Sequence, residues 1–183
     1  MALAGKRDRK KTTTGRSKLA LTNPQVVTSV IVKSSVQEPA LPYKEVPASV
    51  LKVVKGPENK LTGMEKMELV EEGISKLSLE SLKETAGFDY DQLAQVLNVA
   101  RATLINKKSA EKFSTDLSDK IMNLADILSY GLEVFEDRSL FRSWLQKPVR
   151  ALGGKKPFDL LHTSFGREEV RNLLGRIDYG VYS

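Results

Sequence analysis

Apolar residues along this chain change their spacing near residue 61, and the change divides it into two unlike parts. Before that point Val and Ile alternate loosely with Ser, Thr and Lys among prolines, as in Val26-Val27-Thr28-Ser29-Val30-Ile31-Val32. The alternation allows short strands near 26–32 and 50–54; an extended linker closed by Gly56-Pro57 is the other reading. From Leu61 the period becomes helical. Met64, Met67, Val70 and Ile74 share one face, and Ser78 is placed to cap a short helix carrying Leu79, Leu82 and Ala86, stopped by Gly87. Asp89 and Gln92 have capping-box spacing ahead of Leu93, Ala94 and Leu97. After a turn at Asn98 a further short helix is expected over about 101–108. Leu117, Ile121, Leu124, Leu128, Leu132 and Phe135 then make the strongest stripe, predicting one long helix over about 115–135.

Asp137 is expected to start a helix bearing Leu140, Phe141, Trp144 and Leu145, which Pro148 ends. Ala151-Leu152-Gly153-Gly154 reads as a turn, and Pro157 suits the first position of a short helix through Leu161. Val170, Leu173, Leu174 and Ile177 mark an amphipathic helix near the carboxyl end, followed by Tyr179 and Tyr182 on either side of Gly180. Those two rings either fold back onto the core or dock into a partner's pocket. The predicted fold class is all-α, preceded by a mostly extended or disordered N-terminal arm.

Composition sharpens this division. Five of seven prolines precede residue 61, whereas eleven of twelve aromatic residues follow residue 87, so the core belongs to the later part. Charge is equally uneven. Residues 1–18 hold seven basic residues against one acid, a net of +6, which equals that of the whole chain. Residues 19–183 therefore balance to zero, and the high pI of about 9.4 describes an arm rather than a basic domain. A short cationic arm suits contact with nucleic-acid phosphates; a merely solvated arm is the plainer alternative. Cysteine is absent, which excludes disulfides, thiol catalysis and sulfur ligands for zinc. No stretch approaches the roughly 18 apolar residues that span a membrane, and Pro24 interrupts any signal-like core, so a cytoplasmic protein is expected.

Catalytic groupings are scarce. The single histidine, His162, follows Leu160-Leu161 at the end of a short helix and reads as a helix-end residue. The acids at 91, 133, 136, 137, 168 and 169 are spaced as solvated faces and first-turn acids, and neither metal-ligand spacing nor a phosphate-binding loop is present. Neither an enzyme nor a bound cofactor is expected. Residues 89–109 carry a mechanism instead. Two short helices meet at Asn98, with small Ala94 at their closest approach, which is helix-turn-helix spacing. The second helix offers Arg101, Thr103, Asn106, Lys107 and Lys108: Arg suits guanine, Asn adenine, Thr a methyl or phosphate, and Lys the backbone.

Together with residues nearer the carboxyl end, this corner resembles antitoxins of the Xre/MbcA/ParS family. The likeness rests on the run from Leu93 to Leu104, then Val134-Phe135-Glu136-Asp137, Trp144-Leu145, Ala151 to Gly154, and Pro157 to Leu161. Thr163, Gly166, Val170, Leu173-Leu174, Ile177 and Tyr179-Gly180 complete it. The resemblance implies a helical bundle with an arm at 1–60, a helix-turn-helix region at 61–113 and a toxin-binding domain at 114–183. It also implies a homodimer that binds its own operator and neutralises a RES-domain toxin, one that consumes NAD or ADP-ribosylates a target. Arg176, Asp178, Tyr179, Tyr182 and Ser183 are then the expected toxin contacts, reaching into a nucleotide cavity. Two other classes remain open: a helix-turn-helix transcription regulator without a toxin, and a basic-armed RNA- or ribosome-associated protein.

Overall fold

The computed structural model describes residues 49–180. The basic arm, the strand expected near 26–32, Tyr182 and Ser183 lie outside the described residues. Within them the chain is helical: α1 (Gly63–Glu72), α2 (Lys76–Ala86), α3 (Tyr90–Leu97), α4 (Arg101–Ile105), α5 (Thr115–Phe135), α6 (Arg138–Leu145), α7 (Pro157–Leu160) and α8 (Ser164–Asp178). Short 3-10 turns occupy Glu58–Lys60 and Arg150–Leu152.

Local chemistry explains most boundaries. Thr62 and Glu65 form a capping box on α1, and Asp89 and Gln92 form another on α3. Pro157 opens α7, where its missing N–H costs nothing. Gly87 ends α2 in the left-handed conformation. The cap of α2 is Ser75, not Ser78: the Ser75 hydroxyl accepts from the Ser78 amide at 3.2 Å, so Ser78 is the recipient of the cap. The helix begins earlier because residues 74–77 are stitched to 109–113 by backbone bonds, including Lys76 N–H to Glu111 O and Phe113 N–H to Ile74 O.

Helix α5 is the centre of the body. Around it pack the turn at 58–60 and helices α1, α2, α3, α6 and α8. Its Leu117, Ile121, Leu124 and Leu128 are buried as the stripe demands, while Leu132 and Phe135 are half-buried where the helix nears its end. Two expectations need correction. Met64 and Met67 face solvent, at 63% and 46% exposed, because α1 turns only Val70 fully inward and Ile74 lies beyond it. Residues 49–60, expected in the arm, belong to the folded body. The Glu58 carboxylate is fully buried and accepts from Ser49 Oγ at 2.6 Å and from the amides of Val50 and Leu51 at 3.0 and 2.8 Å. That clasp draws Val50 and Leu51 into the core, with no strand there. Asn59 and Lys60 continue the attachment, donating to Glu133 of α5 at 2.6 and 2.8 Å.

Candidate functional site

Two surfaces of this body carry the candidate residues. The first is the α3–α4 corner. Leu93 and Leu104 are fully buried, Ala94 nearly so, and Val99 packs against the core, which holds the two helices together. Asn98 turns the corner at φ 53, a conformation asparagine tolerates better than most residues, and the Val99 amide closes onto Ala94 O at 3.0 Å. Ala100 contributes no side-chain cap to α4, and the helix is shorter than expected, ending at Ile105 rather than near Lys108. Its far end is fastened from outside: the Lys76 ammonium donates to Ile105 O and Lys107 O at 2.7 and 2.9 Å.

Arg101, Thr103, Asn106 and Lys108 all stand exposed on or just beyond α4. Arg101 lies 3.3 Å from Asp91 in an exposed ion pair, a weak and easily exchanged contact. Lys107 is placed differently. It is half-buried, donates to Lys112 O at 2.6 Å, and its ammonium sits 5.5 Å from the Phe113 ring centre. Beside the corner an open cleft of about 590 Å³ is lined by Gln95, Asn98, Ala100 and His162 among others. His162 holds its Nδ1 2.7 Å from Asp159 O, which makes it the helix-end residue its position suggested.

The second surface is the end of α8. Thr163 caps this helix, accepting from the Gly166 amide at 3.0 Å, and Gly166 is required because a Cβ there would run into the carbonyl of Leu160. Val170, Leu173 and Leu174 are buried against α5. On the flank, Asp126 of α5 is paired with both Lys66 of α1, at 2.5 Å, and Arg171 of α8. The same Arg171 guanidinium lies over the Tyr130 ring, 5.5 Å from its centre. Tyr130 donates to Asp178 at 3.3 Å, and burial, helped by the Asp178 charge, pushes its phenol above the usual value.

Asp178 is thus tethered, whereas Tyr179 is 82% exposed and closes α8, its N–H bonding to Gly175 O. Gly180 follows at φ 68, a left-handed turn that favours glycine. Arg176, Tyr179, Tyr130, Arg171, Asn172 and Gly175 line an open groove of about 490 Å³. Three of the five expected toxin contacts therefore meet here; the other two, Tyr182 and Ser183, are not described. Sequence reasoning missed Tyr130, Arg171 and Asp126, since none lies on an apolar stripe and only the packing of α8 on α5 brings them together. Among the described residues no group of three potential metal ligands gathers, and no helix is long and apolar enough to cross a membrane.

Comparison with known proteins finds a family match for the stretch that holds each surface. Residues 65–126 match the antitoxin Xre-like helix-turn-helix domain, and residues 131–180 match the antitoxin Xre/MbcA/ParS C-terminal toxin-binding domain. Antitoxin Xre of Photorhabdus laumondii is 24% identical over 117 residues, covering 63% of this chain and 79% of that protein. The Prs ADP-ribosylating antitoxin of a Sphingobium species is 28% identical over 131 residues, covering 66% of this chain and 82% of the relative. Antitoxin Xre of Yersinia enterocolitica is 24% identical over 113 residues, covering 61% and 76%. With a helix-turn-helix around α3 and α4 and a toxin-binding domain ending on α8, the chain belongs to the Xre/MbcA/ParS family of antitoxins.

Proposed function

We propose that this antitoxin neutralises a RES-type toxin by covering its active site with α8 and residues 179–183, and that it represses its own operon as a homodimer. The observation that carries the reading is Tyr179. A ring 82% exposed at the end of a well-packed helix, beside Arg176 and Arg171, offers stacking and charge-assisted hydrogen bonds to a cavity built for a nucleotide. Arg and Tyr are also frequent anchors of protein interfaces. One relative is named Prs ADP-ribosylating antitoxin, and ADP-ribosylation draws on NAD, which supports a partner that uses NAD. The α3–α4 corner supplies the second activity, with Arg101, Thr103, Asn106 and Lys108 reading the operator and the cationic residues 1–18 adding phosphate contacts. Lys107 is a weaker base-reading candidate than Lys108, since reaching DNA would break its bond to Lys112 O.

The test is co-expression with a RES-domain toxin, sought first in the gene adjacent to this one, reading cellular NAD and growth. The full chain should preserve NAD, and a chain ending at Asp178 should not. Full protection by the shortened chain would defeat the occlusion reading. Binding to operator DNA by a chain that has no effect on any RES protein would favour a plain transcription regulator.

A further inference from the structure

From Arg138 to Phe158 the chain carries six cations, at 138, 142, 147, 150, 155 and 156, and no carboxylate. Such a run is unusual in residues 19–183, which are neutral as a whole. One of the six is committed inward: the Arg142 guanidinium donates to the carbonyls of Glu84 and Thr85. The other five are exposed. The chain folds so as to bring Lys155 back towards Lys147 and Arg150. Val149 N–H bonds to Lys155 O and Gly154 N–H bonds back to Val149 O, both at 3.0 Å, with Gly153 and Gly154 at φ 67 and 77 making the reversal. Lys155 is thereby returned to the side of Val149 and Arg150.

Two of these cations, Lys147 and Arg150, border an apolar groove of about 460 Å³ whose lining includes Phe135, Leu140 and Trp144. The floor is rigid: the Trp144 ring lies 5.3 Å from Phe135 and is stacked with Phe141 at 6.1 Å. Leu140 is 58% exposed. The groove also adjoins the surface already described. Phe135 lines it and Tyr130 lines the groove beside Tyr179, and five residues of helix separate them by about 7.5 Å.

We propose that the α6–Arg150 groove is a second docking face for the toxin, taking an amphipathic segment with apolar residues on the floor and carboxylates on the rim. This rests on the reading that the chain binds a RES-type toxin. A specific interface needs about 800 Å² from each partner, more than one exposed tyrosine and its neighbours supply. Duplex nucleic acid is the poorer fit, because its bases are already stacked and would leave the Leu140 and Trp144 floor uncovered, whereas an acidic amphipathic segment satisfies floor and rim together. Rim charges mainly accelerate encounter, while floor contacts slow release.

Surface plasmon resonance of the full chain against the RES-domain toxin used in the co-expression test, at low and high salt, tests this. The triple variant Lys147→Glu/Arg150→Glu/Lys155→Glu should associate at least 10-fold more slowly and lose most of its salt dependence. Leu140→Ser should dissociate several-fold faster. Because charge reversal can disturb folding, Lys147→Gln/Arg150→Gln serves as the milder pair, expected to show the same effect in part with an unchanged melting curve. Toxin kinetics within two-fold of the unaltered chain in all three variants would overturn the proposal. So would weakened operator DNA binding with toxin binding intact, which would make this a nucleic-acid face. If the unaltered chain fails to bind the RES protein, the toxin assignment itself fails and this face falls with it.

Discussion

Asp137 shows how much a single side chain decides. Its carboxylate accepts from the amides of Leu140 and Ser139 and from the Ser139 hydroxyl, and these bonds hold its pKa below the ordinary 3.8. A folded value below the unfolded one means the stabilisation is complete above the unfolded value and disappears as pH falls through the folded one. Asp137→Ala should therefore lower the melting temperature by a few degrees at pH 7, and by progressively less between pH 5 and 3. Asp137→Asn, which keeps the cap without the charge, should melt near the unaltered chain at pH 7 while lacking its share of the acid-side decline. Calorimetry across that pH range checks both. Gly131 makes an opposite demand, for absence. A Cβ there would overlap the Phe141 ring, so α6 can approach α5 only because that position has no side chain. Gly131→Ala should cost about 1–3 kcal/mol by overpacking, read as a fall in melting temperature. Adding Phe141→Leu should restore part of it, since the two substitutions act on one shared packing site.

Among the elements, legibility in the sequence depends on how far away the determinants of each one lie. The long helix α5, the capped start of α3, the αL corner at Asn98 and Pro157 at the start of α7 depend on neighbours within a few residues, and spacing reveals them. Spacing alone points to Ser78 rather than Ser75 because the register of α2 is set by the bridge to residues 109–113, far along the chain. The membership of Val50 and Leu51 in the core depends on Glu58, a buried carboxylate among prolines and lysines that no periodicity marks. The same distinction applies to the sites. Tyr179 is visible as an aromatic at the end of an amphipathic helix, but its setting beside Tyr130 and Arg171 requires α8 to be laid on α5. Two elements should separate by experiment. Removing residues 179–183 leaves the buried Val170, Leu173 and Leu174 untouched, so neutralisation should be lost while the melting curve stays unchanged. Arg101→Ala with Asn106→Ala should cut operator preference roughly 10-fold or more, since each good base contact discriminates by about 1–3 kcal/mol. Neutralisation should survive; joint loss of both activities would indicate a general destabilisation.

For the whole molecule the governing feature is where charge lies. Helix α5 is shared, supporting α1, α2 and α3 on one hand and α6 and α8 on the other, and Asp126 ties Lys66 of α1 to Arg171 of α8 across it. Residues 19–183 nevertheless sum to zero, so on the proposed reading the long-range attraction to DNA should come mainly from residues 1–18. On that reading base reading and phosphate attraction belong to different parts of the chain, and each should be removable without the other. Deleting residues 1–18 should flatten the dependence of log Kobs on log salt by up to about 5, at roughly 0.9 for each phosphate no longer neutralised. The ratio of operator to non-operator affinity should change little, because the deleted residues read no bases. Titrations of both DNAs between about 50 and 200 mM salt would reveal this; an unchanged slope would place the phosphate contacts on the folded body, and a collapsed ratio would mean that the arm reads sequence as well.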